Sequence, residues 1–289
     1  MPTFTTPKPV EAHVNLVMGD VRIIAADRTD SVVSVRPSDP SDEGDRKAAE
    51  LTRVHHANGH LIVKGPKLRP WLSRRDGGSI DVTIEVPTGS GLHGAAGAAD
   101  FACDGELGDV RIRTGVGSIR LERVDSLSVK SGAGDITVDH ARRNVEITTA
   151  TGDVRLRELD ASAVVKNSNG DTWIGVAGGD LKVNAANGPI VVDLARGTTV
   201  AKSANGDVRL REVVRGSVVL ETAMGDLEIG VAQGTAAYLD VSAVAGHVHN
   251  DLEASSDPGA SAQKVEIRAR TTMGDIAIRR GGYETLGVT

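Results

Sequence analysis

Histidines, a lone cysteine and regularly spaced aspartates are the residues of this 289-residue chain whose types could do chemistry. His247 and His249 alternate onto one face and have the spacing to share a metal. No third ligand stands at a convincing zinc-site spacing, so they read as surface histidines. His55, His56 and His60 form a second small cluster beside a turn and read the same way. Cys103 has no histidine near it in sequence, which leaves a small buried or half-buried thiol as its expected state. No Walker loop, nucleophile elbow or His-Glu-x-x-His motif occurs. The expectation is therefore no catalytic residue, no cofactor and no metal site.

The aspartates lead back to the elements that carry them. Gly-Asp followed by an alternating strand recurs from Gly134-Asp135-Ile136-Thr137-Val138 to Gly225-Asp226-Leu227-Glu228-Ile229. The turn glycines Gly134, Gly152, Gly170, Gly188, Gly206 and Gly225 are 18, 18, 18, 18 and 19 residues apart. A fixed period of this length marks a solenoid, in which no repeat can bury its apolar face alone. Calcium binds Asp-rich turns in some β-helices, but those use a nine-residue period with several Gly and Asp per turn. One Asp per 18 residues points to a turn role, with the carboxylate bonding its own backbone beside a glycine that tolerates positive φ. Asn169, Asn187 and Asn205 precede successive glycines, so their amides are placed to stack as a ladder.

Within a repeat the pattern alternates with period two. Val129, Ile147, Val165, Val183, Ala201 and Leu220 stand five residues before their glycines, and each is followed by a polar residue. Two and four residues after the glycine the side chains are apolar except at Thr172. Each coil therefore holds two short strands with one face inward. The fold class expected is all-β, a right-handed parallel β-solenoid (β-helix) with coils of about 18 residues and an irregular N-terminal capping portion. Aromatic residues make up 2% of the chain, so the interior is built from Val, Ile, Leu and Ala.

Taken in order, residues 1–90 read as irregular strands that close the first end of the coil stack. Residues 91–280 read as regular coils, and 281–289 as a C-terminal tail. Val14 to Ile23 already carry the pattern around Gly19-Asp20. Arg46 to Val54 suits a short helix capped by Asp45, with Ala48, Ala49 and Leu51 inside. Gly89 to Cys103, rich in Gly and Ala, reads as an entry turn. After Gly225 the step lengthens to 21 at Gly246 and 28 at Gly274, with the surplus in a polar loop from Asn250 to Gln263. The stretch from Lys64 to Gly78 is the most basic of an acidic chain. Its Lys67, Arg69, Trp71, Arg74 and Arg75 are the best local guess for a partner contact, since Arg and Trp dominate binding hot spots. Its plain reading is a solvated excursion with Trp71 folded back on the coils.

The Gly-Asp-(Val/Ile)-x-(Val/Leu/Ile) coils and the introductory strand Ile80 to Val86 ending at Pro87 resemble a bacterial family of unknown function labelled "putative adhesin". The resemblance covers about Val14 to Ile278, implies the β-solenoid fold, and brings no catalytic residues with it.

Net charge is −6, against a general affinity for nucleic acid. No apolar run is long enough to span a membrane, and the N-terminus lacks the apolar stretch of a secretion signal. A single cysteine excludes an internal disulfide and suits a reducing compartment. The chain is expected to be a cytoplasmic, non-catalytic binding or scaffold protein with a protein partner. The alternative is a self-assembling solenoid that forms dimers or filaments. Carbohydrate-active β-helix enzymes usually have longer coils, a loop-walled cleft and exposed aromatics, whereas this chain has short coils, few loops and almost no aromatics, so an enzyme and a carbohydrate ligand are disfavoured.

Overall fold

The structure is a computed structural model that describes residues 1–66, 78–253 and 263–282. The chain forms two compact units, Met1–Arg142 with Thr148–Ala150, and Arg143–Ile147 with Thr151–Thr289. Both are parallel β-solenoid.

Unit 1 contains β1 (Thr3–Thr5), β2 (Glu11–Ala26), β3 (Asp30–Pro37), α1 (Glu43–Leu51), β4 (Arg53–Ala57), β5 (His60–Lys64), β6 (Ile80–Pro87), β7 (Gly91–Val116), β8 (Ile119–Ala133) and β9 (Ile136–Ala141). Strand β2 runs parallel to β5 and β6 on one side and to β7 on the other, and β8 pairs with β7 and β9. The coil made by β5 and β6 is thus outermost although it follows β2 in sequence. Antiparallel additions cover its free edge: β4 pairs with β5, and β3 with β6 and β1. Asn58 and Gly59, both at positive φ, close the β4–β5 hairpin.

Two local expectations change here. The helix starts earlier than the pattern suggests, because Asp42 and not Asp45 is its cap: the Asp42 carboxylate accepts the backbone N–H of Asp45 at 3.0 Å. Asp45 instead accepts the N–H groups of Asp39 and Ser79, tying the helix to the approach of β6. Ala48 is buried but Leu51 is exposed. Gly89 to Cys103 is not an entry turn either, since Gly91 onward is a full rung of β7 paired with β2. Small residues suit a rung here because Phe101, the largest buried side chain, lies beneath it. A Cβ on Gly94 would stand 2.6 Å from the Phe101 ring.

Residues of β10 (Val145–Thr151) fall in both units, and unit 2 contains β11 (Val154–Leu159), β12 (Ala163–Asn169), β13 (Thr172–Ala177), β14 (Leu181–Asn187), β15 (Ile190–Ala195), β16 (Thr199–Asn205), β17 (Val208–Val213), β18 (Gly216–Met224), β19 (Leu227–Val231), β20 (Thr235–Ala245), β21 (Val248–Asn250), β22 (Gln263–Met273) and β23 (Ile276–Arg280). Val165 pairs with Val183 and Val183 with Ala201, while Ile174 pairs with Val192 and Val192 with Leu210. All of these are fully buried. The core is therefore a set of aliphatic columns, one side chain per coil.

The turn shows why Gly-Asp recurs. The aspartate carboxylate accepts the backbone N–H of the equivalent residue one coil on. Asp153 takes Asp171 N at 3.0 Å, Asp207 takes Asp226 N at 2.9 Å, and Asp226 takes Asp275 N at 2.8 Å. The glycine is demanded by the same stacking. Gly188 has φ +118°, and a Cβ there would lie 2.3 Å from the carbonyl oxygen of Gly170. The asparagine ladder exists between Asn187 Nδ2 and Asn169 Oδ1 at 2.8 Å. Beside it runs a buried polar column that the alternation does not reveal. Thr222 and Thr271 donate to the carbonyls of Gly206 and Gly225, and Asn167 to those of Gly152 and Gly170 and to Thr172 Oγ1. Thr172, the exception among the apolar positions, thereby finds a buried partner.

Stacking order departs from sequence order at the last coils. Strand β18 pairs with β22, and β22 with β20; β19 pairs with β23, and β23 with β21. The coil of Gly274 is thus inserted between those of Gly225 and Gly246, and the outermost coil is Thr235–Asn250.

Candidate functional site

The structure assembles a group of polar side chains on one sheet face of unit 1. In register, Ile62, His13 and His93 share one column across β5, β2 and β7, and Lys64, Asn15 and Ala95 share the next. The hydrogen bond from Gly108 N to Ser90 O sets the following half of β7 one coil further on. There Arg111 pairs with Ser128, and Arg113 with Lys130 of β8. These residues border a hollow of about 690 Å³. A second hollow of about 570 Å³ adjoins it over Asn15, Ala95, Arg113 and Lys130 and extends to Gly97, Gly115 and Gly132. The floor is small-residue backbone. Its glycines cannot gain side chains, because a Cβ on Gly115 would stand 2.5 Å from Gly97 O and one on Gly132 2.4 Å from Gly115 O.

Three histidines make one wall. His13 Nε2 lies 3.2 Å from His60 Nδ1, and ring centroids are 5.3 Å apart for His13 and His60 and 4.8 Å for His13 and His93. The rings form a row and not a ring around one point. Glu11 Oε2 lies 3.7 Å from His93 Nε2. Burial depresses the His13 pKa first, the neighbouring His93 and His60 depress it further, and Glu11 opposes them. His13 is therefore a neutral donor and acceptor at pH 7.

Among the described residues no carboxylate reaches ion-pair distance of Lys64, Arg111, Arg113 or Lys130. Other arginines of unit 1 do find partners: Arg22 meets Asp104, Arg28 meets Asp30 and Glu85, Arg123 meets Glu122, and Arg142 meets Glu106 and Asp125.

The residues singled out from the sequence fall elsewhere. Lys67, Arg69, Trp71, Arg74 and Arg75 lie outside the described residues. His247 and His249 are exposed, with ring centroids 6.2 Å apart, and Asp275 Oδ1 accepts the His247 backbone N–H at 2.8 Å. The cluster of His55, His56 and His60 is broken up by the β4–β5 hairpin: His56 packs on the Phe4 ring, while His60 turns to His13. Nothing in the sequence singles out His13 and His93; the β2–β7 register, which pairs Glu11-Ala12-His13 with Gly91-Leu92-His93, connects them. Cys103 is buried, and burial pushes its thiol pKa far above the ordinary value.

Stacked single-residue columns, coil turns stapled by Gly-Asp and a shallow polar hollow on one face define a β-solenoid of the toastrack class. The chain belongs to the Toastrack DUF4097 family, whose model matches residues 13–279. No curated protein matches it. Solved structures are similar to it at low identity. A putative adhesin from Parabacteroides merdae is 13% identical over 79% of this chain and 94% of its own, with a TM-score of 0.46. A putative adhesin from Parabacteroides distasonis is 12% identical over 96% of this chain and 95% of its own, with a TM-score of 0.39. A putative lipid binding protein from the same species is 10% identical over 97% and 94%, with a TM-score of 0.28. Among the described residues no helix is long and apolar enough to cross a membrane.

Proposed function

We propose that this chain is a non-catalytic binding or scaffold protein of the cytoplasm that presents a sheet face to another protein. The observation that carries the reading is the set of four cations on unit 1 that no carboxylate reaches among the described residues. Exposed charges on a solenoid face can be neutralised at little cost by neighbours one coil away, as Lys202 and Glu221 are in unit 2 at 2.6 Å. Side chains held apart from such partners remain available to a ligand. The absence of convergence supports a binding role over catalysis, because an enzyme brings unlike groups to one reacting atom and here they stand in rows. The basic segment with Lys67, Arg69, Trp71, Arg74 and Arg75 follows β5 directly in sequence and is proposed as a second contact. Cross-linking of the full chain in its native cells, followed by capture and compared with a chain lacking residues 67–77, tests the reading. A discrete partner at stoichiometric yield is expected. Recovery of the full chain alone, at every cross-linker length, overturns it.

A second reading, self-association, is favoured by the outermost coil of unit 2. Ile276 and Leu227 are fully buried, yet their column neighbour Val248 is 43% exposed, and Tyr238 and Val244 of β20 are 70% and 79% exposed. Strand β20 has a free edge among the described residues and carries one charge, Asp240, in eleven residues. Long edges of this kind invite pairing with another strand. Val244→Lys, which places a charge on that edge, is expected to leave sedimentation of the monomer unchanged and to abolish any concentration-dependent dimer. A dimer that persists in the variant removes this edge from consideration.

A further inference from the structure

We propose that the hollow on unit 1 takes an extended acidic peptide segment, whose separated carboxylates reach Lys64 on one side and Arg111, Arg113 and Lys130 on the other. The assignment rests on the binding-protein reading above and names the chemistry of the partner. It is argued from the placement of the donors. Lys64 and Arg113 lie in the same side-chain column three coil steps apart, roughly 14 Å at the inter-strand spacing of a sheet. Arg111 and Arg113 are two residues apart on one strand face, roughly 7 Å, and Lys130 is one further step from Arg113. Four cations at such intervals do not converge on one point, so a compact dianion such as phosphate contacts only part of the set. An extended chain carries alternate side chains about 7 Å apart, and its carboxylates match the spread.

The floor supports the same occupant. Between Lys64 and Arg113 the column offers only Asn15 and Ala95, so a backbone can lie close to the sheet there. The Asn15 amide and the Ser128 hydroxyl provide neutral donors on either side. Arg binds carboxylate through two parallel N–H donors, and the exposed state of both arginines leaves them free to turn toward it. Glu11, two residues before His13 on β2, lies against His93, and Asp109, two residues before Arg111 on β7, accepts a hydrogen bond from the Ser126 hydroxyl. Among the described residues no carboxylate lines either hollow.

The test uses the full chain and a fluorescein-labelled oligoglutamate peptide, with oligolysine and oligoserine peptides of equal length, and tripolyphosphate as competitor. Fluorescence anisotropy at low salt is expected to show binding of oligoglutamate alone, weakening steeply as salt is raised. Each of Lys64→Gln, Arg111→Gln, Arg113→Gln and Lys130→Gln is expected to weaken it about 2–5-fold, the range for exposed ion pairs. The quadruple variant is expected to abolish it. All four side chains are exposed, and unchanged far-UV circular dichroism and urea midpoint confirm that the fold is kept. A control, Arg155→Gln with Arg209→Gln, removes cations of unit 2 that already have carboxylate neighbours and is expected to bind normally. The proposal is overturned if oligoglutamate does not bind, if the quadruple variant binds as well as the parent, or if tripolyphosphate binds in the same place more tightly than the peptide. Failure with oligoglutamate while the cross-linked partner is still captured by the quadruple variant removes this assignment alone. Loss of any partner in the parent chain removes the binding-protein reading itself.

Discussion

Replacing Gly188 with alanine tests whether the turn glycines exist to let one coil's backbone pass close to the next. The residue has φ +118°, outside the region that any L side chain adopts comfortably, and the new Cβ would stand 2.3 Å from Gly170 O and 2.8 Å from its carbonyl carbon. Ordinary contact begins about 1 Å further out, so the coils must separate locally or the turn must rotate. Either response breaks ladder bonds such as Gly188 N to Asn205 O at 3.0 Å and Gly170 N to Asn187 O at 3.1 Å. Strain of about 1–3 kcal/mol for a glycine-only backbone conformation, with about 1 kcal/mol for each of two lost bonds, gives a cost of about 3–5 kcal/mol. Gly234 supplies the comparison: its φ is +76°, yet nothing lies within 4 Å of the position its Cβ would take. Gly234→Ala therefore meets only the left-handed backbone penalty of about 1–2 kcal/mol. Urea unfolding followed by far-UV circular dichroism should place the midpoint of Gly188→Ala well below that of Gly234→Ala, which itself lies slightly below the parent. Equal midpoints for the two variants would refute the close-approach account, because the two sites share positive φ and differ in the neighbouring coil.

Other consequences follow from titratable groups. Asp193 is buried on β15, and burial raises its pKa, opposed by Arg211 at 3.3 Å and by the Trp173 side chain. A carboxylate with a raised folded pKa binds its proton more tightly in the folded state, so stability rises as pH falls from that pKa toward the unfolded value near 3.8. Asp193→Asn should flatten that stretch of the stability–pH curve, and an unchanged slope in urea midpoints counts against the burial argument. His13 behaves in the opposite sense. Its folded pKa is below the unfolded value of 6.5, so its share of stability is complete above pH 6.5 and is lost as pH falls from there toward the folded pKa. The groups that face it are His60 on β5, His93 on β7 and Glu11 on its own strand. His13→Gln should remove that loss below pH 6.5, and a variant that keeps the parent's slope shows that the row of rings is not its source. Cys103 should resist a maleimide in the native protein and react at the rate of unfolding in urea. Fast native labelling would show that the Cys103 column opens to solvent.

How much of this was readable beforehand depends on which interactions repeat. The apolar columns were legible, because Val165, Val183 and Ala201 must each alternate with polar neighbours for their strands to pair. The turn was half legible. Gly-Asp recurred at a fixed interval, but a carboxylate bonding its own turn and one bonding the next coil's N–H demand the same residue at the same place. Thr222, Thr271 and Asn167 were invisible as a column, since hydroxyls and amides inside a strand look like the solvent-facing half of the alternation. The hollow was not legible at all. Its walls come from β5, β2 and β7, whose spatial neighbours are separated by the insertion of α1 and β4, so no spacing in the sequence links His13 to His60 or Lys64 to Arg113.

The departures from sequence order share a physical reason. A coil in the middle of the stack has pairing partners on both sides and no freedom in its register, whereas a coil at an end must leave one row of N–H and C=O groups unpaired. In unit 1 that row belongs to β5 and β6, and antiparallel β4 and β3 satisfy it, with α1 packed against β3 and β6. Only a chain that departs from the 18-residue rhythm has the spare length to fold back in this way. The interruption from Pro37 to Asp45 is therefore part of the cap, and the rung that carries Lys64 is ordered by it. In unit 2 the coil of β20 and β21 occupies the corresponding place, and the chain after Asn250 returns inward to form β22 and β23 beneath it. No described strand covers its outer edge. The contrast between an edge covered in one unit and one that no described strand covers in the other is what separates the two functional readings: the polar hollow beside the covered edge suits a foreign acidic segment, and the nearly uncharged β20 suits a strand like itself.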